Sequence, residues 1–451
     1  MIIIYLVIYV VNKITGIYKG NPDLIIKKIN NTYTIIYFES ICSSDKINEF
    51  INKSIIYKNK ITAPHMLKIT IKETEKYLNN AFALIIKKNT DIYAAEVKAD
   101  LYRSIDSPET EPSINGPKDA LTENIQLNLG LIKRRIKTKN LKIINKTIGK
   151  YTSTLVQTLY IENNQNKNEI DYILKKLDNI KLLDVLDSSN ISNSLQKEMK
   201  SIFPTIITSE RPDVISSAII EGKIVILVDN SPFALIMPAY FTDFINPLID
   251  KYSKEGPTNF IKIIRYICLI ITLVEPAFYI ATINYNQETI PTSLLINFMT
   301  QREGVPFPSV VEAILMLIIY EILRESDIRF PSKYGTAISI LGALILGDAA
   351  VKAGIVSPIM IITIAICFIS SLVFTNPEFS NALRLYRFLF LFGATILGLY
   401  GIILVLFYLL INLCSTYSIN KPYTIPIAPF KRKYFFKYIW RKSKKWKKYL
   451  H

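Results

Sequence analysis

The 451-residue chain is poor in the side chains from which most active and metal sites are built. It has two histidines, His65 and His451, too far apart in sequence to form a ligand pair at motif spacing. Its four cysteines, Cys42, Cys268, Cys367 and Cys414, stand singly, with no CxxC spacing and no histidine nearby, so neither a zinc site nor a disulfide framework is indicated. No glycine-rich loop follows a strand as a phosphate cradle requires, and no carboxylate pair stands in an acid–base frame. The chain is therefore expected not to be an enzyme, to hold no metal or cofactor, and to act by binding or assembly.

What it has is apolar surface, unevenly spread. Half of the residues are hydrophobic. Up to about Lys223, short apolar runs mix with Lys, Asn, Glu and Asp, whereas long apolar stretches dominate from Phe260 to Leu413. The first part is expected to be aqueous and the second lipid-embedded. The net charge of +17 is concentrated at the end, where residues 421–451 hold eleven Lys and Arg and no acid. Tyr434, Phe435, Phe436, Trp440 and Trp446 interleave with those charges like an interfacial belt. The tail is thus read as the cytoplasmic end of a membrane protein and not as a nucleic-acid surface. The opening MIIIYLVIYV lacks a basic flank and a small-residue cleavage site and is too short to span, so it is not read as a signal peptide.

In the aqueous part, one plan occurs twice. Leu24 to Asn30 and Thr32 to Phe38 precede an amphipathic helix from Asp45 to Ile56; Leu141 to Lys150 and Ser153 to Ile161 precede another from Asn168 to Leu177. The expected organisation is an α/β subdomain over 1–100, a linker and basic helix over 101–137 ending in Lys133, Arg134, Arg135 and Lys137, and a second related subdomain over 138–223. An all-α polytopic membrane domain over 224–420 and the basic tail complete it.

Four spans are expected: Ile261 to Ile283, Gly335 to Ala353, Ile355 to Phe374 and Phe388 to Leu413. Val310 to Leu323 and Ile224 to Leu248 are too short or too interrupted to cross and are read as re-entrant or interfacial. An even count sets both termini on the same side. Ala343, Gly347, Ala350 and Gly354 recur at spacings of four, three and four, which places them on one helix face suited to close helix contact. Ala394, Gly398 and Gly401 form a second small-residue row. Two carboxylates lie in apolar segments. Asp348 either lines a pore or is neutralised by Lys352 four residues on. Glu275 is about 15 Å of helix from Arg265 and so has to meet another span or water.

Several long passages resemble one family. They are Ser209 to Phe241 (SERPDVISSAIIEGKIVILVDNSPFALIMPAYF), Ile290 to Pro331, Ala337 to Pro358 and, upstream, Leu101 to Lys137 with its SPET, GP, TEN and IKRRIK elements. Together they are similar to the GerA family of spore germination proteins, in its A-type subunit, over roughly Asp91 to Leu413. The chain departs from the pattern at Tyr285-Asn286-Gln287-Glu288, where the family has an aromatic-His-Gln-Glu run, and at Glu275, where an apolar residue is usual.

The resemblance implies a nutrient germinant receptor subunit in the spore inner membrane. Such a subunit acts with a transporter-like B subunit and a lipoprotein C subunit, and oligomerises around a cation path. A paralogous sporulation-stage subunit that amplifies ion release, and a secondary transporter, are the alternatives. Two matched motifs are site candidates. Glu210, Arg211, Pro212 and Asp213 suit a helix start, with Arg211 also a possible inter-subunit contact. Gln301, Arg302, Glu303 and Gly304, followed by Pro306 and Pro308, suit a sharp polar turn or a gating hinge.

Overall fold

The computed structural model describes residues 11–430 apart from 15, 19, 30–32, 52–65, 88–90, 100–107, 109, 112–115, 163–166, 197–200 and 330–346. The chain divides into two compact units: one of residues 1–200, 205–239 and 417–421, the other of 201–204, 240–416 and 422–451.

The first unit holds two sheets. Strands β1 (Leu24–Ile29), β2 (Tyr33–Phe38), β3 (Met66–Ile69), β4 (Phe82–Lys87) and β5 (Ile92–Glu96) lie in the order β1-β2-β4-β5-β3. Helices α1 (Ser44–Phe50) and α2 (Thr74–Leu78) fall before and after β3. After α3 (Ile125–Arg135) comes a second sheet of β6 (Leu141–Ile148), β7 (Thr154–Ile161), β8 (Ile207–Ser209), β9 (Ile224–Val228) and β10 (Ala234–Met237), ordered β6-β7-β9-β10-β8. Helices α4 (Lys167–Asn179), α5 (Ser188–Gln196) and α6 (Pro212–Ile220) flank β8. Read by chain position, the strand order is the same in both sheets, and every pairing is antiparallel. The two subdomains are copies of one topology.

This corrects the expectation for Ile224 to Leu248. From Ile224 to Met237 the run is not a re-entrant segment but two strands and a turn, and beyond it Phe241–Ile245 is a short helix of the second unit. All five residues of β9 and all four of β10 are buried. A continuous apolar run of that length is what a strand covered on both faces looks like, and periodicity alone does not separate it from a membrane segment. Asn230, in the left-handed region at φ 63°, makes the turn between them.

The first unit is completed from the far end of the sequence. Ser418 Oγ donates to the Thr205 carbonyl at 2.7 Å and accepts from the Ala239 amide at 3.1 Å. Ile419 lies in the core with Ile224 and Met237, and Lys421 pairs with Glu169 at 2.9 Å. Lys421, assigned by sequence to the basic tail, thus belongs to the α/β unit. Residues 431–451 lie outside the described residues.

The second unit is helical: α7 (Phe241–Ile245), α8 (Glu255–Asn284), α9 (Thr292–Arg302), α10 (Ser309–Arg329), α11 (Pro358–Ser371) and α12 (Pro377–Ser415). Among the described residues, α8 and α12 are long and apolar enough to cross a membrane, and α11, at 14 residues, is a shorter apolar helix. The expected span from Gly335 to Ala353 falls largely outside the described residues. The Val310 to Leu323 segment, read as a short interfacial piece, is part of the 21-residue α10.

The last apolar run, read as one span, is two helical segments. Gly398 sits at φ 59°, ψ −138°, outside helical geometry, and the chain reverses there. The Tyr386 and Tyr408 rings, which a straight helix would hold about 33 Å apart, have centroids 6.4 Å apart. Only glycine reaches this φ without cost, and a Cβ here would fall 2.9 Å from that of Tyr285. A Cβ on Gly393 would likewise meet Val405 Cγ2 at 2.8 Å. The small-residue row Ala394, Gly398 and Gly401 therefore packs and turns one chain upon itself.

Candidate functional site

The QREG turn lies where three helix ends meet in the helical unit. Thr292 to Arg302 ends with Glu303 as its cap, and Gly304 at φ 92° turns the chain towards Pro306, Pro308 and α10. Gln301 falls in the last turn of α9. One turn into α10, Glu312 is fully buried. Its Oε2 accepts from the Ser357 amide at 3.0 Å and the Ser357 hydroxyl at 2.8 Å. The Arg302 guanidinium stands 3.3 Å from its Oε1. Ser357 is the cap of α11, with Pro358 in the first turn, so one carboxylate ties the end of α9 to the starts of α10 and α11. Asn284 at the end of α8 accepts from Ser309 Oγ at 2.9 Å and brings a fourth helix end to the junction.

Beside it opens a cavity of about 650 Å³, lined by Asn284, Gln287, Arg302, Glu303, Phe298 and Met299 among others. A buried carboxylate costs several kcal/mol unless paired and hydrogen-bonded, so Arg302 and Ser357 are what allow Glu312 to sit there. Chemically the arrangement fixes helix ends and presents polar groups to that cavity. Among the described residues no three His, Cys, Asp or Glu side chains cluster at metal-binding reach.

The second motif holds the α/β unit together. Pro212 stands in the first turn of α6 and Asp213 beside it at the positive end, as the sequence suggested. Arg211 does not reach outward. It is buried and forked onto Asp213, with Nε and Nη2 at 3.1 and 2.8 Å from the carboxylate oxygens. Glu210 Oε1 accepts from the Thr110 amide and hydroxyl at 2.6 and 2.7 Å and from the Glu111 amide at 3.1 Å. Ser209 Oγ donates to Glu111 Oε2 at 2.8 Å. Burial pushes the Glu111 carboxyl above the usual range, with the Ser209 bond and Arg211 acting downward. Thr110 and Glu111, in the stretch read as linker, are thus pinned to the edge of the second sheet.

The remaining candidates separate. Asp348 and Lys352 form an exposed i,i+4 pair at 2.6 Å, the neutralised alternative. Among the described residues nothing lies within 4 Å of a Cβ built on Gly347, and Ala350 packs against the cluster around Met360 and Leu317. Gly354 is not on the helix face. At φ 64° it ends the helix, and a Cβ there would lie 3.5 Å from the Gly304 carbonyl. Ala343 lies outside the described residues. Glu275 is half-buried on α8, with its Oε2 buried and, among the described residues, without a hydrogen-bond partner. Arg265 is forked onto Asp250 at 2.7 and 2.9 Å, so Glu275 has no same-helix partner there.

Sequence reasoning missed three positions: the full burial of Glu312, the role of Ser357 beneath it, and Arg387, of which only 1% is exposed. A serine immediately before a proline at the start of an apolar run was the available signal for the second.

Fold and site together define a class: a duplicated α/β unit joined to a unit of long apolar helices, whose ends converge on a buried charged junction. The GerA model, described as Bacillus/Clostridium GerA spore germination protein, matches residues 12–449. Spore germination protein KA of Bacillus subtilis is 35% identical over 435 residues, covering 91% of this chain and 80% of its own. Spore germination protein A1 of the same species is 33% identical over 434 residues, covering 92% and 89%. The crystal structure of the N-terminal domain of the A subunit of the Bacillus megaterium spore germinant receptor GerK3 is 25% identical, with a TM-score of 0.39, over 51% of this chain and 94% of that one. The chain belongs to the GerA family of spore germination proteins.

Proposed function

We propose that this chain is the A-type subunit of a nutrient germinant receptor in the spore inner membrane. Its copies assemble around a cation path, and it acts with a transporter-like B subunit and a lipoprotein C subunit. The observation that carries this is the family match over 12–449, with relatives named as spore germination proteins along most of their length.

The helical unit supports a multi-pass arrangement. Asn284, Ser309, Ser357 and Gly398 gather at one end, joined by the Ser309–Asn284 and Ser357–Glu312 bonds and by Tyr285 Oη on the Thr395 carbonyl. At the other end Phe374, Phe379, Phe244 and Tyr386 pack about Phe203 and Tyr423. Residues 377–397 and 399–415 then run between the ends as two passes, about 31 and 25 Å long. With α8, α10 and α11, the described helices pass five times between the ends. Gly398 divides the last expected span into two of these passes, and α10 is longer than its apolar stretch.

Small faces such as that around Gly347, open towards the described residues of its own chain, suit contact with a second copy. Deleting the gene from a strain with no other receptor for the same nutrient is expected to abolish nutrient-triggered potassium release. Unchanged release would refute the proposal.

A further inference from the structure

Pro276 lies inside α8. A proline has no N–H for the carbonyl four residues before it, so the helix leaves the Thr272 carbonyl without its ordinary partner. Thr272 is fully buried, where such a group has to be satisfied by something else. Two other helices supply it: Arg387 Nε, from the first half of α12, donates at 2.9 Å, and Cys367 Sγ, from α11, at 3.5 Å. Arg387 heads the largest fully buried side chains. Among the described residues no carboxylate comes within the 4 Å of an ion pair, and its Nη2 has no hydrogen-bond partner. A buried guanidinium held by one neutral acceptor is weakly compensated, so the contact is of the kind that opens at modest cost.

We infer that Arg387 is a latch across the proline gap of α8. Closed, it stands in for the missing N–H, clamps α8 to α12 and seals Cys367 against the same carbonyl. Open, it frees α8 to bend at Pro276, where no backbone bond resists, and uncovers Cys367. Arg387 is a positioning residue: it acts through the helix it holds.

The test follows from the gap. In Pro276→Ala the new N–H takes the Thr272 carbonyl and Arg387 becomes dispensable. With Cys42, Cys268 and Cys414 replaced by Ser, the full-length chain in its native membrane is labelled with a small permeant maleimide. Arg387→Met is expected to raise the labelling rate of Cys367 at least tenfold, and adding Pro276→Ala to return it to within about twofold of the parent. The fall in unfolding midpoint caused by Arg387→Met is expected to shrink by more than half in the Pro276→Ala background. Should Arg387→Met fail to accumulate, Arg387→Lys, which keeps one donor, serves in the same cycle with a smaller rise. Labelling unchanged by loss of Arg387, or equally raised with and without Pro276, overturns the inference.

Discussion

Single residues decide how the α/β unit is held. Lys133, at the end of α3, is 7% exposed, bonded to Asp23 and placed 3.6 Å from the centroid of the Phe38 ring. Asp23 in turn accepts from the Ser40 amide at 2.9 Å and hydroxyl at 2.7 Å. Burial lowers the lysine's pKa, and Asp23 acts against that. Removing one member of such a pair strands the other, so Lys133→Met is expected to destabilise the unit by about 3–5 kcal/mol, measured by denaturant unfolding of the purified chain. Glu111 gives a pH dependence. Its folded carboxyl is raised, so its contribution is complete below the ordinary glutamate value of about 4.3 and declines as pH rises through the raised one. Glu111→Gln, which cannot ionise, is expected to flatten the fall of the unfolding midpoint above that value, and an unchanged slope would contradict the assignment. The sequence made the Pro212–Asp213 helix start legible because its signals are adjacent. It concealed Lys133, counted as one of a basic run, because its partner lies 110 residues away.

Among elements, strands were easier to recognise than membrane segments. The paired runs before α1 and α4 alternate or carry β-branched residues between turn signals, and they are found as β1, β2, β6 and β7. β9 and β10 were misread because a fully buried strand has no polar face to declare its period. Gly398 was misread for the opposite reason. A glycine among apolar residues fits a packing face as well as a turn, and only φ distinguishes the two. Gly398→Ala is expected to cost about 1–3 kcal/mol from the left-handed backbone, with further loss from the contact with Tyr285. Thermal unfolding in detergent measures it. Gly347→Leu, with open space around it among the described residues, is expected to leave that midpoint within about 0.5 kcal/mol. An equal loss from both would contradict the difference drawn between the two rows.

At the scale of the whole molecule, the repeated sheet order was legible only as two matching openings, since the helices before and after the third strand differ in length between the two copies. The charged junction at Glu312 was legible as a motif and not as a site: the QREG turn is contiguous, but Ser357 arrives from 45 residues beyond Glu312. The same long-range closure gives the topology its test. Single cysteines at Glu288 and at Ser415 are expected to react with an impermeant thiol reagent from opposite faces of sealed vesicles, and reaction from the same face would remove the proposed multi-pass arrangement. The central claim is assembly around a cation path, and its most direct measurement is conductance of the purified receptor in a planar bilayer, with its partner subunits present and its nutrient supplied. The account predicts a nutrient-dependent cation current that Gly347→Leu diminishes while the chain remains folded. A silent bilayer under those conditions, or a current indifferent to that substitution, would contradict it.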